Sequence, residues 1–261
     1  MKLNLNSDLG ESFGPWVTGR DAEMLEIVRA ANLACGAHAG DPVVMRASVR
    51  DCVAKGVEIG AHPGFADLQG FGRRNMALTP EEITPLVAAQ IGALQAVAAL
   101  EGGTVTHVKP HGALNNMASV DRAMADAIAA GIKGVAPDLI LLATATSELE
   151  NAGRAAGLPV ACEIFADRTY QADGTLTPRS QPNALIKDPA QSTDQILRFL
   201  EAGAIIPLEG DPLPTQIHSV CVHGDKPEAV ALAAAVAKAL KDQGITLTTL
   251  TDVMGQTRQQ H

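Results

Sequence analysis

The chain has 261 residues, of which 46% are hydrophobic, 19% charged and only 3% aromatic, and its formal net charge is -9. That apolar fraction excludes a disordered chain, and an acidic, aromatic-poor surface excludes nucleic-acid binding, which needs phosphate-neutralising charge and stacking rings. The length suits one β/α barrel of about 250 residues as well as two small domains; with no shift in composition along it, 1–261 reads as a single domain.

Strand patterns alternate with helical ones throughout. Residues 2–6 read as a strand, 21–30 as a helix with Asp21 as N-cap, and 32–35 as a short strand. Residues 41–54 read as a helix with Pro42 at its first position, where a missing N–H costs nothing. A strand at 57–61 precedes a long helix at 79–100, opened by Thr79-Pro80-Glu81-Glu82 in the manner of a capping box. Next come a strand at 105–109, a helix ending near 130, a strand at 139–143, a helix opened by Ser147, and a strand at 160–166. A helix at 193–201, a strand at 217–222, an Ala-rich helix at 227–241 and a last strand at 246–250 complete the chain. Alternation of this kind implies parallel βαβ units, and seven or eight of them in this length suggest a closed or nearly closed barrel, with a doubly wound open sheet as the competitor. Two long polar connections, 63–78 and 168–189, are of the length that functional loops have.

The four cysteines, Cys35, Cys52, Cys162 and Cys221, lack the spacing of a zinc knuckle or redox motif and lie mostly in apolar runs, so they read as buried thiols. Residues 1–8 hold no apolar signal core, and no apolar run approaches the ~20 residues of a membrane span. The expectation is a cytoplasmic protein that does not meet a membrane.

The informative pattern is the parity within each strand, since successive side chains face opposite sides of a sheet. Asn4, Asn6 and Asp8 alternate with Leu3 and Leu5; Glu58, Gly60 and His62 with Val57 and Ile59; His107, Lys109 and His111 with Val108. Glu163, Phe165 and Asp167 share a side, and Ser219, Cys221, His223 and Asp225 oppose Val220 and Val222. The apolar set would face the covering helices and the polar set the barrel interior. Asp8, His38, His62, Lys109, His111, Asp167, His223 and Asp225 all fall at or just after a strand's C-terminal end, where parallel barrels carry chemistry. Gathering so many ionisable groups costs several kcal/mol unless they pair or bind a ligand, so the pattern marks an active site.

Asp and His from different strands suit a divalent metal that activates water, with Asp8, His62 and His111 as candidate ligands. Without a metal the same groups can act as acids and bases. His107 and His111 look like a helical pair, but an extended chain through Pro110 separates them by roughly 13 Å at ~3.3 Å per residue. They share a metal only if the chain turns sharply after Pro110. Lys109 suits an oxyanion or phosphate, or else an ion pair with Glu163 or Asp167. Gly70-Phe71-Gly72-Arg73-Arg74 could clamp an anion through its backbone and guanidinium groups. There is no phosphate-binding P-loop, no dinucleotide fingerprint after a strand and no Gly-x-Ser-x-Gly elbow.

Seven stretches taken together resemble the LamB/YcsF family: Leu5-Asn6-Ser7-Asp8-Leu9-Gly10-Glu11, residues 31–41 around His38, Ile59-Gly60-Ala61-His62-Pro63, His107-Val108-Lys109-Pro110-His111-Gly112, residues 163–168, residues 173–179 and Val222-His223-Gly224-Asp225. They span nearly the whole chain in the family's order. The resemblance implies an irregular seven-stranded (β/α) barrel of the glycoside hydrolase/deacetylase type. It implies ATP-dependent opening of 5-oxo-L-proline to L-glutamate, with ADP and phosphate as products, in company with 5-oxoprolinase subunits B and C. ATP is then the implied cofactor, joined by a divalent metal: Mg with the ATP, or a transition metal at the barrel mouth. Asp8, Glu11, His38, His62, Lys109 and His111 become the catalytic candidates. Asn6, Asp41, Arg73, Arg74, Glu163, Arg168, His223 and Asp225 become the substrate- or phosphate-binding ones, with Lys109, Arg73 or Arg168 steadying phosphate and Asp8 or Glu11 directing water or metal. The chain departs from the family at Leu114-Asn115-Asn116, where Leu-Tyr-Asn is usual, and at 143–146, which lacks the usual glycines. Two alternatives stand beside this one: a metal-dependent deacetylase or amidohydrolase acting without ATP on a small N-acyl substrate, and a non-catalytic lactam-binding or scaffolding subunit.

Overall fold

The structure is a computed structural model that describes residues 1–223 and 227–259. In chain order its elements are β1 (Lys2–Leu9), α1 (Asp21–Met24), β2 (Ala30–Ala34), α2 (Pro42–Lys55), β3 (Glu58–His62), α3 (Pro80–Leu100), β4 (Val105–Val108), α4 (Gly112–Ala118), α5 (Arg122–Val135), β5 (Ile140–Thr144), α6 (Glu148–Ala155), β6 (Val160–Phe165), α7 (Pro189–Ala202), β7 (Ala204–Ile205), β8 (Leu213–Pro214), β9 (Ser219–Cys221), α8 (Pro227–Asp242), β10 (Thr246–Leu247) and α9 (Leu250–Gln259). Strands β1 to β6 pair in parallel in that order, and β9 joins β6 to β1 to close a seven-stranded barrel. The expected barrel is therefore present, and the open-sheet alternative is excluded by the β1–β9 pairing.

Side-chain parity sets the layers. Leu3, Leu5, Leu33, Ile59, Ala61, Val108, Leu141, Cys162, Ile164 and Val220 are buried in the main core between the strands and the surrounding helices. Ile140, Leu142 and Ala161, of the opposite parity, form a second apolar cluster with Leu250 and Met254 of α9. Thus α9 plugs the base of the barrel, the end where the strands begin. β10 fills the lower part of the seam below β2, pairing with Lys2 and Leu3 before β2 reaches β1 at Asn6.

The differences from the expected elements have local causes. The helix foreseen at 21–30 stops at Met24 because Arg29 N–H donates to the Leu5 carbonyl and Ala30 already pairs with β1. The helix foreseen up to about 130 divides into α4 and α5, where the Asp121 carboxylate caps α5 by accepting from the Met124 N–H at 3.1 Å. The last strand ends at Leu247, because the Glu58 carboxylate of β3 receives the N–H groups of Leu250 and Thr251 and starts α9 there. By length and composition α3, with 21 residues, is the one described helix able to cross a membrane, contrary to the expectation that no such run exists. In the fold its Ile83, Val87, Ile91, Leu94 and Ala98 are buried at helical spacing, against α5 and the barrel. Gln90 on the same helix receives the Gly64 N–H at 3.0 Å and donates to the Gly64 carbonyl at 2.8 Å. That bracket fixes the start of the loop after β3.

Candidate active site

Above the α9 plug the barrel interior is polar and almost fully hydrogen-bonded. Asn4 donates to the Thr248 carbonyl at 2.9 Å and accepts from the Ser219 hydroxyl at 2.7 Å. Asn6 donates to Ser219 at 2.8 Å and to Glu163 at 3.2 Å. Asn32 donates to Asn6 Oδ1 at 2.8 Å and to Asp8 Oδ1 at 2.9 Å, and its own Oδ1 faces His107 Nε2 at 3.0 Å. The network meets at Lys109. Its ammonium lies 3.0 Å from Asp8 Oδ1, 3.2 Å from Glu163 Oε2 and 3.0 Å from Cys221 Sγ.

These groups hold one another's charges. Burial opposes the Lys109 ammonium, but Asp8, Cys221 and Glu163 around it raise its pKa well above the usual lysine value. Burial likewise opposes the Asp8 carboxylate, and His62 and Lys109 prevail, holding it well below the usual range. Glu163 is pushed up by burial against the pull of Lys109, and its Oε1 has no hydrogen-bond partner.

Beside this network lies a cluster of imidazoles. His62 ends β3, His111 caps the N-terminus of α4, and His38 and Glu11 come from the loops after β2 and β1. His62 Nδ1 donates to the Lys109 carbonyl at 2.6 Å, and His111 Nε2 donates to the Phe71 carbonyl at 2.8 Å. Each ring therefore turns its other nitrogen toward the same space. Those two atoms, His62 Nε2 and His111 Nδ1, face each other at 3.0 Å, with Glu11 Oε1 3.3 Å from His111 Nδ1 and Asp8 Oδ2 3.4 Å from His62 Nε2. Acceptors converging on acceptors repel unless a positive species, a proton or a metal ion, lies between them.

His38 reinforces the point. Its ring stacks on His111 at 3.7 Å between centroids; both of its nitrogens are buried without a hydrogen bond, as is Glu11 Oε1, 3.5 Å from His38 Nε2. Burial, followed by neighbouring imidazoles, pushes His38 and His111 well below the usual histidine pKa, so both are neutral ligands-in-waiting. Glu11 is raised by burial. One ligand atom from each of Glu11, His38, His62 and His111 falls within 4.8 Å of every other. Three imidazoles and one carboxylate, two of the rings oriented by main-chain carbonyls, are a donor set that suits a divalent transition metal such as zinc.

This set differs from the one expected. His62 and His111 belong to it, and the chain does turn after Pro110, but Asp8 is engaged by Lys109 and its place is taken by Glu11 and His38. Asp8 also groups with Cys221 and His223, yet Lys109 Nζ already sits 3.0 Å from both Asp8 and Cys221, so the ammonium supplies the cation there. His107 stays below, bonded to Thr106 and Asn32, and burial lowers its pKa to about 3.

A cavity of about 710 Å³ opens over these groups, lined by Asp8, Glu11, His62, Lys109, His111 and His223 at the inner end. His223 Nδ1 is 2.8 Å from Asp167; burial lowers its pKa, Asp167 outweighs that, and the net shift is upward. Arg73 and Arg168 also reach the cavity wall. Asn6 and Glu163 lie beneath Lys109 rather than in the cavity. Two expected binding residues are corrected. Asp41 is the N-cap of α2, its carboxylate spent on the N–H groups of Val43, Val44 and Gly14. Arg74 turns to the surface and pairs with Asp67. Asp225 lies outside the described residues.

Some participants have no clear signal in the sequence. Phe71 adopts a left-handed φ of +55°, rare for an aromatic residue, and that turn aims its carbonyl at His111. Thr146 is likewise left-handed at +66° and lines the cavity. Cys221 shares the inner parity of Ser219 and His223, which is the available clue to its place beside Lys109.

Residues 3–255 match the LamB/YcsF family. The A subunit of a 5-oxoprolinase from Brevibacillus brevis (strain 47) is 53% identical over 245 residues, covering 94% of this chain and 96% of the relative. The corresponding A subunit from Methylococcus capsulatus is 51% identical over 248 residues and covers 95% of each. Among solved structures, the lactam utilization protein from Thermus thermophilus matches with a TM-score of 0.89 at 43% identity, over 95% of this chain and 100% of that one.

Proposed function

The chain belongs to the LamB/YcsF family, and on that premise we propose that it is the A subunit of a cytoplasmic 5-oxoprolinase, opening 5-oxo-L-proline to L-glutamate with ATP and with B and C subunits as partners. The observation that carries the reading is the convergence of Asp8, Glu11, His62, Lys109, His111 and His223 on one cavity at the C-terminal ends of the barrel strands. A five-membered lactam resists water because its amide is resonance-stabilised; phosphorylation of its carbonyl oxygen makes the carbon a better electrophile.

In this reading Glu11, His38, His62 and His111 hold a divalent metal, whose chemistry when bound is to polarise an oxygen and lower the pKa of water. The Lys109 ammonium, fixed at the cavity floor by Asp8, Glu163 and Cys221, offers positive charge to the oxygen on which negative charge develops. Asp8 stays ionised between Lys109 and His62 and keeps both oriented. His223, its pKa raised by Asp167, holds a proton that its Nε2 can deliver to the departing ring nitrogen. Arg73 and Arg168 steady the phosphate.

The test is glutamate release from 5-oxoproline and ATP by this chain alone and with B and C partners, with and without EDTA. Turnover is expected only in the full mixture. Asp8→Asn or His62→Gln is expected to lower it at least a hundred-fold with the fold intact, as loss of an acid–base or electrostatic group does; near-normal rates in both would overturn the assignment. The imidazole–carboxylate cluster also favours a second reading, an ATP-independent metal hydrolase of small amides. EDTA-sensitive cleavage of an N-acyl substrate by the chain alone would select it.

A further inference from the structure

The buried stripe of α3 has one polar member. Ile83, Val87, Ile91, Leu94 and Ala98 face the core at helical spacing, and Gln90 stands among them, 6% exposed. Both ends of its carboxamide are engaged. Oε1 accepts from the Gly64 N–H at 3.0 Å; Nε2 donates to the Gly64 carbonyl at 2.8 Å and to the Leu86 carbonyl of its own helix at 3.1 Å. Gly64 is itself buried, and an apolar side chain at 90 would strip its N–H and C=O of these partners. By holding both groups at once, the amide acts as a strip of neighbouring strand and fixes the two peptide planes that flank Gly64.

Those planes touch the imidazole cluster. The peptide joining Pro63 to Gly64 is trans, so its N–H and C=O point in opposite directions. Its N–H goes to Gln90, and its C=O accepts the His111 N–H at 2.8 Å. Gln90 and the start of α4 are thus tied to opposite edges of one rigid plate. Gly64 also lies against the rings: a Cβ there would stand 2.7 Å from His38 Nδ1 and 3.3 Å from His111 Cβ. His38 has no hydrogen bond on either nitrogen, so packing places its ring, with His111 stacked at 3.7 Å and the Gly64 backbone beside Nδ1. His62 directly precedes Pro63 on the same segment. Movement of this one plate would therefore disturb three imidazoles together.

We propose that Gln90 is a positioning residue for the imidazole cluster: through the Pro63–Gly64 peptide it sets where His111 and His38 stand, and so how tightly the cluster holds a metal ion. The inference deepens the reading of Glu11, His38, His62 and His111 as a metal site and rests on that reading for the ion. It also gives a reason for a carboxamide on an apolar stripe. A leucine would fill the same place in the helix, but it could not hold Gly64.

The test compares the whole chain as wild type, Gln90→Leu and Leu94→Ala. Leu94 is fully buried four residues further along the stripe, so its truncation loosens the core and leaves the Gln90 amide in place. Three quantities are measured: zinc affinity by competition with a chromophoric chelator, stability by urea unfolding, and the imidazole nitrogen NMR signals of His38 and His111 in metal-free protein. Gln90→Leu should bind zinc roughly ten-fold more weakly or worse, as loss of a group that orients metal ligands does, with both histidine signals shifted. Leu94→Ala should lose stability and keep both the affinity and the signals. Gln90→Asn, whose amide falls one methylene short of Gly64, carries the same expectation as Gln90→Leu and replaces it if that variant does not fold. Wild-type affinity and wild-type signals in the Gln90 variant would overturn the proposal. So would an affinity loss in Leu94→Ala as large as in the Gln90 variant, since lost stability alone would then account for both. Failure of the parent reading looks different. A wild type that binds no zinc, with His38 and His111 signals still shifted by Gln90→Leu, removes the metal and leaves the positioning of the rings. Zinc held equally tightly by wild type and Gln90→Leu removes the role of Gln90 and leaves the metal site.

Discussion

A methyl group on residue 72 would stand 2.8 Å from both the His111 ring and His38 Cβ, and Gly72 has a φ of +62°. Both facts exclude a side chain, so the loop after β3 presses its backbone directly against two of the imidazoles. Gly64 does the same for His38, whose Nδ1 would lie 2.7 Å from an added Cβ, and Gly60 seats the His107 ring, at 2.1 Å. Gly60→Ala should destabilise the protein by roughly 1–3 kcal/mol, as overpacking does, read by urea unfolding. Gly72→Ala should lower divalent-metal content more than it lowers stability, because the rings it displaces hold the proposed ion. Glu11→Gln should reduce bound zinc, measured by mass spectrometry of the purified protein, with unchanged circular dichroism. Full stoichiometry in that variant would rule out the four-residue cluster as the metal site.

At the scale of elements, strand alternation is legible and so is its consequence. Asn6, Asp8, His62, Lys109 and Glu163 share the inner parity in the sequence, and they meet in the barrel interior. Loop residues obey no such periodicity. Asp41 and Arg74 resemble binding groups by type and neighbourhood, yet each answers to a nearby local need: an exposed helix N-terminus for one and the Asp67 carboxylate for the other. His38 and Glu11 are visible as candidates, but their joining with His62 and His111 depends on left-handed turns at Phe71 and Gly72 that no spacing rule announces. The C-terminal helix escapes a reading of the sequence because its start is set by Glu58, which lies far from it along the chain. Leu250, fully buried in the barrel base, should cost about 2–5 kcal/mol when truncated to Ala. Glu58→Gln, which weakens the cap, should cost about 1 kcal/mol. Thermal melts of the two variants would check both, and a wild-type melting temperature for Leu250→Ala would refute the plug.

At the scale of the whole molecule, stability should depend on pH through histidines kept neutral in the fold. Burial lowers His218 to about 4 and His107 to about 3. His218 Nδ1 accepts the Cys162 N–H at 3.0 Å, which requires the lone pair. Below the ordinary histidine pKa near 6.5 the unfolded chain takes up protons that the folded chain refuses, so each group's contribution falls as pH drops from about 6.5 toward its folded value. The slope reaches about 1.4 kcal/mol per pH unit for each histidine. Glu163 and Glu11, raised by burial, act in the opposite sense, so the clean measurement is a difference. The stability advantage of wild type over His218→Asn should shrink between pH 6.5 and 4.5; a gap that does not vary with pH would show that His218 is not held neutral.

The pairing of β10 with β1 and the capping of α9 by β3 carry a consequence for biosynthesis. Asn4 bonds to the Thr248 carbonyl, 244 positions away along the chain. On a ribosome, β1 emerges first and must wait for almost everything else before its lower edge is covered. Until then the nascent barrel has an open floor, with Ile140, Leu142 and Ala161 facing water. Such long-range closure makes for slow folding and a long exposure to aggregation and chaperones. A message that stalls or is clipped before Leu250 should therefore yield a chain that has made nearly all of its site and still fails quality control.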